Sequence, residues 1–140
     1  LTHYDPAAGA CSAFVNRMVS DLCRGKGKGQ AYLRALSCCR DDVVYEMLRR
    51  FWRYDPVPGL DCLLATHAAL TVFMENDTFE DTLISAVNLG GDADTVGAIA
   101  GSLAGSCYGL GSVPRRWLSG LHDFSRVTSA AWNLWNGARE

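Results

Sequence analysis

The chain has 140 residues, 49% of them hydrophobic, and 13 basic against 15 acidic side chains give a formal net charge of −2. That length predicts a single domain over residues 1–140 with a real buried core. Interspersed charge near neutrality gives no strong signal for nucleic acid or an anionic membrane, and residues 1–10 lack the basic start and apolar core of a secretory signal.

Asp5-Pro6 predicts a helix cap followed by proline at the first helical position. Phe14, Met18, Val19 and Leu22 then repeat at helical spacing until the Gly25 to Gly29 stretch interrupts them. Arg24-Gly25-Lys26-Gly27-Lys28-Gly29 reads as a flexible, solvated basic turn rather than a phosphate contact. Ala31 to Cys39 and Val43 to Trp52 are expected helices, with Leu33, Leu36, Val44, Met47, Leu48 and Phe51 inward. Asp55-Pro56-Val57-Pro58-Gly59 separates these from a helix whose Leu63, Leu64, Leu70, Phe73 and Met74 share a face. His67 lies near that face and, like His122, reads as a packing residue. Asp77-Thr78-Phe79-Glu80 offers a capping box, followed by an apolar stripe of Phe79, Leu83, Ile84 and Val87. After Pro114, Trp117, Leu118 and Leu121 form one turn, and Val127 to Trp135 is a closing helix with Ala131, Trp132 and Trp135 inward. No alternating strand is visible, so the expected fold is all-α, an orthogonal multi-helix bundle with the glycine-rich helix near its centre.

Cys11, Cys23, Cys38, Cys39, Cys62 and Cys107 form no C-x-x-C pair and no Cys/His cluster at zinc spacing. They read as buried, reduced thiols in a reducing compartment, with Cys38 and Cys39 open to oxidation.

Chemistry concentrates in Asn88-Leu89-Gly90-Gly91-Asp92-Ala93-Asp94-Thr95-Val96-Gly97-Ala98-Ile99-Ala100-Gly101. Two carboxylates and a hydroxyl at a helix start suit Mg²⁺ or Ca²⁺, which select hard oxygen donors. Gly90 and Gly91 allow a sharp turn, while either Asp could equally be only a helix cap. Gly97, Gly101, Gly105 and Gly109 recur every fourth residue and leave one helix face bare for close packing. The same spacing occurs in membrane dimerisation faces, but Val96 to Val113 holds five glycines and three serines and begins beside two acids, against the about 20 mainly apolar residues a span needs. The missing Lys-Ser/Thr ending, and two acids that repel phosphate unless a cation intervenes, argue against a P-loop.

The segment from Asn88 to Gly109 resembles the C-terminal signature of the ADP-ribosylglycohydrolases. Gly59 to Phe73, Thr78-Phe79-Glu80-Asp81, Val113-Pro114 to Trp117-Leu118, and Thr2-His3-Tyr4-Asp5-Pro6, similar to the family's T-H-x-x-P element, extend the likeness over nearly the whole chain. The family's earlier G-D-x-x-G, D-D-T and G-N-G-x-x-M-R segments have no counterpart here. The chain therefore resembles the C-terminal half, either a piece of a longer protein or a reduced relative that completes its site by association.

The resemblance implies a Mg²⁺-dependent hydrolase in which two Mg²⁺ ions hold the distal ribose of ADP-ribose while water cleaves its C1″ glycosidic bond. Carried over, it makes Asp92, Asp94 and Thr95 metal ligands and His3, Gly90 and Gly91 substrate contacts, with the catalytic acid and remaining ligands in an N-terminal half. Implied partners are an ADP-ribosylated protein or small-molecule substrate and a companion chain or N-terminal half, with no membrane; the implied location is cytoplasmic. A catalytically inactive ADP-ribose-binding or protein-interaction module of the same fold remains the alternative.

Overall fold

The computed structural model describes residues 5–137, which form eight α-helices and two short 3-10 turns without a strand. The helices are α1 (Pro6–Cys23), α2 (Lys28–Ser37), α3 (Asp42–Leu48), α4 (Cys62–Glu75), α5 (Phe79–Asn88), α6 (Ala93–Tyr108), α7 (Arg115–Leu118) and α8 (Phe124–Gly137). The all-α expectation holds for the described residues. His3 lies outside them.

Side-chain caps fix four of the eight helix starts. Asp5 accepts from the Ala8 amide at 2.8 Å, with Pro6 following it, and Asp41 accepts from Val44 at 3.0 Å. Asp61 accepts from Leu63 and Leu64 at 2.9 and 3.1 Å. The expected capping box shifts by one residue: Thr78, not Asp77, caps α5, accepting from the Asp81 amide at 3.0 Å and donating to its carboxylate at 2.7 Å. That leaves Glu80 free to pair with Arg116.

The basic turn is tied rather than free. Lys26 and Arg34 both reach the Asp21 carboxylate, at 2.6 and 3.0 Å. Lys28 donates to the Phe73 carbonyl at 2.9 Å and to that of Asn76, and lies over the Phe73 and Tyr108 rings. These bonds clamp the α1–α2 connection onto the end of α4.

The core begins on α1, where Cys11, Phe14, Met18 and Leu22 are buried at helical spacing. Phe14, Tyr32 and Phe51 meet edge to face at 6.3 and 5.4 Å, and the buried Tyr32 hydroxyl donates to the Leu48 carbonyl at 3.0 Å. The most enclosed element is α4, in which every residue from Ala65 to Phe73 is buried because α1, α3, α5 and α6 surround it. His67 is a packing residue there, with Nε2 at 3.0 Å from the Phe51 carbonyl; its Nδ1 has no hydrogen-bond partner among the described residues.

The bare face of α6 is covered by α5. Phe79, Leu83 and Val87, four residues apart, lie over Gly105, Gly101 and Gly97 in antiparallel order. An added Cβ would stand 3.8, 3.6 and 3.8 Å from those three side chains, ordinary van der Waals contact. The stripe therefore admits a methyl group but not a large side chain.

Several expected core residues are not in the core. Leu33, Ile84, Val87 and Leu121 are exposed, and so are Trp132 and Trp135 at 64% and 58%. Nothing in α8 is buried. Periodicity identifies an apolar face without identifying how deeply the fold covers it. The expected helix from Val43 to Trp52 also divides: α3 ends at Leu48, and Phe51–Arg53 forms a 3-10 turn that returns Phe51 to the core. Of the six thiols only Cys11 is buried; Cys23 and Cys38 are exposed and the others half-buried. No helix among the described residues is long and apolar enough to cross a membrane.

Candidate metal centre

The turn between α5 and α6 is built by two left-handed glycines, Gly90 at φ +74° and Gly91 at φ +58°. Gly91 carries a second constraint. A Cβ there would come within 3.0 Å of the Pro58 carbonyl oxygen and 3.1 Å of its Cγ, so the Pro58 segment seals the back of the turn. Space beside Gly90 is open.

Asp92 follows, and its backbone starts α6 by accepting from the Val96 amide at 3.1 Å. Its side chain makes no capping bond, unlike Asp5, Asp41, Asp61 and Thr78. The plain cap reading therefore fails for Asp92. The half-buried carboxylate stays available for something else.

Asp94 sits in the first turn of α6, where the helix dipole favours negative charge. A hydrogen bond with the Asp92 carboxyl, joined by bonds from the Asp94 and Thr95 amides, holds its carboxyl below the usual carboxylate range. Neighbouring carboxylates favour a cation between them. The donor set of two carboxylates and the Thr95 hydroxyl suits a hard divalent ion, but falls short of the about six oxygens that Mg²⁺ takes. Among the described residues no group of three or more His, Cys, Asp or Glu side chains could hold a metal ion. The remaining coordination would fall to water and to groups from elsewhere.

Asp92 and Thr95 also line a cavity of about 580 Å³ between α1, α4 and α6. Its polar lining comes from Ser12, Asn16 and Thr66, with Ile99 supplying apolar wall. These residues escape a reading by motif, although Ser12 and Asn16, four apart on α1 and linked by a 2.9 Å bond from the Asn16 amide group to the Ser12 carbonyl, form a polar strip that marks this face. Pro58 likewise gave no signal beyond its role as a helix breaker.

The sequence model of the ADP-ribosylglycohydrolases matches residues 1–140, and the chain belongs to that family. Among its relatives, the ADP-ribosyl-[dinitrogen reductase] glycohydrolase of Rhodospirillum rubrum is 35% identical over 127 residues, covering 86% of this chain and 40% of that protein. The ADP-ribosylarginine hydrolase Tri1 of Serratia proteamaculans is 38% identical over 73 residues, 52% of this chain and 20% of its own length. The human ADP-ribosylhydrolase ARH3 is 29% identical over 103 residues, 70% of this chain and 28% of its own. The chain thus spans less than half the length of these relatives. No solved structure matches it.

Proposed function

We propose that the chain supplies one side of a Mg²⁺-dependent site that removes ADP-ribose from a modified protein or small-molecule acceptor by cleaving the C1″ glycosidic bond. The supporting observation is the Asp92 carboxylate, which caps no helix and is set beside Asp94 and Thr95 at the edge of a cavity that Ser12, Asn16 and Thr66 also line. In this reading a pair of bound Mg²⁺ ions supplies charge for orienting the ribose diol and the attacking water.

Asp92, Asp94 and Thr95 hold the cations, and the left-handed Gly90-Gly91 turn fixes where those oxygens point. Ser12, Asn16 and Thr66 offer hydrogen bonds to a bound sugar, while Ile99 restricts water. His3 contacts the substrate from the nucleotide side. The remaining metal ligands and the catalytic acid come from a polypeptide outside this sequence, since three donors do not complete two octahedral ions. Residues 1–140 act as one domain in this arrangement, in the cytoplasm, a reducing compartment that returns the six thiols to the free form.

Isothermal titration with Mg²⁺ and ADP-ribose tests the reading. ADP-ribose binding should require Mg²⁺ and disappear in Asp92→Ala/Asp94→Ala. Binding that survives both EDTA and the double substitution would overturn it.

A further inference from the structure

Cys11 and Cys62 line the same cavity as Asp92 and Thr95, one from the middle of α1 and the other as the first residue of α4. Cys11 is 2% exposed, with the Thr66 side chain and the Cys62 thiol among the groups that surround its sulfur. Cys62 is half-buried and packs on the core cluster that contains Cys11. The function proposed above uses neither sulfur. Two thiols on packed helices that line one cavity form an arrangement suited to reversible oxidation.

We propose that Cys11 and Cys62 form a redox pair which a peroxide entering the cavity closes to a disulfide, stapling α1 to the start of α4. The more accessible Cys62, as thiolate, attacks the O–O bond of hydrogen peroxide, becoming a sulfenic acid while the departing hydroxide takes a proton to leave as water. The Cys11 sulfur then attacks the sulfenic sulfur, loses its proton and displaces a second water. Two thiols and one peroxide thus give one disulfide and two waters. Burial pushes the Cys11 thiol up to about 12, which keeps it protonated at neutral pH and assigns it the second, slower step. Cys39, half-buried and also in the surroundings of Cys11, is the competing partner.

The bond is read without metal or substrate, so its presence or absence is independent of the cation site. The full chain is treated with a modest excess of hydrogen peroxide, then analysed by intact mass, tandem mass spectrometry of tryptic peptides and thermal melting. The wild type and Cys39→Ser should each lose two hydrogens through a Cys11–Cys62 link. Their Tm should rise by several degrees as the bridge restricts the unfolded chain, and dithiothreitol should reverse both changes. Cys62→Ser, a small change at a half-buried position checked for helicity by circular dichroism, should show neither. A Cys11–Cys39 or Cys38–Cys39 link in the wild type, a link between two chains, or no link at all would overturn the proposal.

Discussion

Asp92 carries most of the functional argument because its side chain makes no capping bond and instead faces the other acidic residue of the turn, Asp94. Four other helix-starting residues spend their side chains on caps; Asp92 does not. Asp92→Asn should therefore change stability by no more than about 0.5 kcal/mol in thermal melts, while lowering metal-dependent hydrolysis by about 100-fold or more in a protein with the completed site. Gly91→Ala should behave in the opposite way. Its left-handed φ, and a Pro58 carbonyl oxygen only 3.0 Å from where the alanine methyl would stand, predict a loss of about 1–3 kcal/mol by denaturant titration. Asp21 provides a pH test. The hydrogen bond from Lys26 and the charge of Arg34 hold its carboxyl below the usual range, so its contribution is present above the unfolded value of about 4 and fades as pH falls through the folded value. The stability gap between wild type and Asp21→Asn, followed by chemical denaturation, should narrow as the pH drops below about 4.

At the scale of elements, the α5–α6 pair shows what a sequence pattern does and does not specify. The every-fourth glycines announced a packing face, and α5 occupies it with Phe79, Leu83 and Val87. Their spacing did not reveal that each position has room for a Cβ. Gly101→Ala should accordingly be neutral or stabilise the protein by about 0.5–1 kcal/mol in thermal melts, because alanine lowers the entropy cost of the helix and its methyl meets Leu83 at 3.6 Å without overlap. The acidic turn was legible from Gly90 to Thr95 because its chemistry is contiguous in the chain. The cavity beside it was not, since Ser12, Asn16 and Thr66 come from two distant helices and only folding brings them to Asp92. Caps were legible where the residue type was decisive, as at Asp5, and off by one at Thr78, where Asp77 was an equally good candidate by type.

For the whole molecule, α1, α4, α5 and α6 make a packed unit, whereas α8 lies on its outside with Val127, Trp132, Leu134 and Trp135 all more than half exposed. The hydrophobic period of α8 predicted a helix correctly and burial incorrectly, because an amphipathic period marks a helix face without setting how deeply the fold covers it. Trp132→Ser should thus leave stability within about 0.5 kcal/mol of wild type, against a loss of about 2–5 kcal/mol for Met18→Ala in the buried core, both read by denaturant titration.

The central claim, that Asp92, Asp94 and Thr95 form a hard-cation site, is tested most directly by amide chemical shifts during a Mg²⁺ titration of this chain. Shifts should concentrate at Gly90 to Val96, saturate with weak affinity, and vanish in Asp92→Ala/Asp94→Ala. An unperturbed turn, or a response that persists in the double variant, would contradict the account.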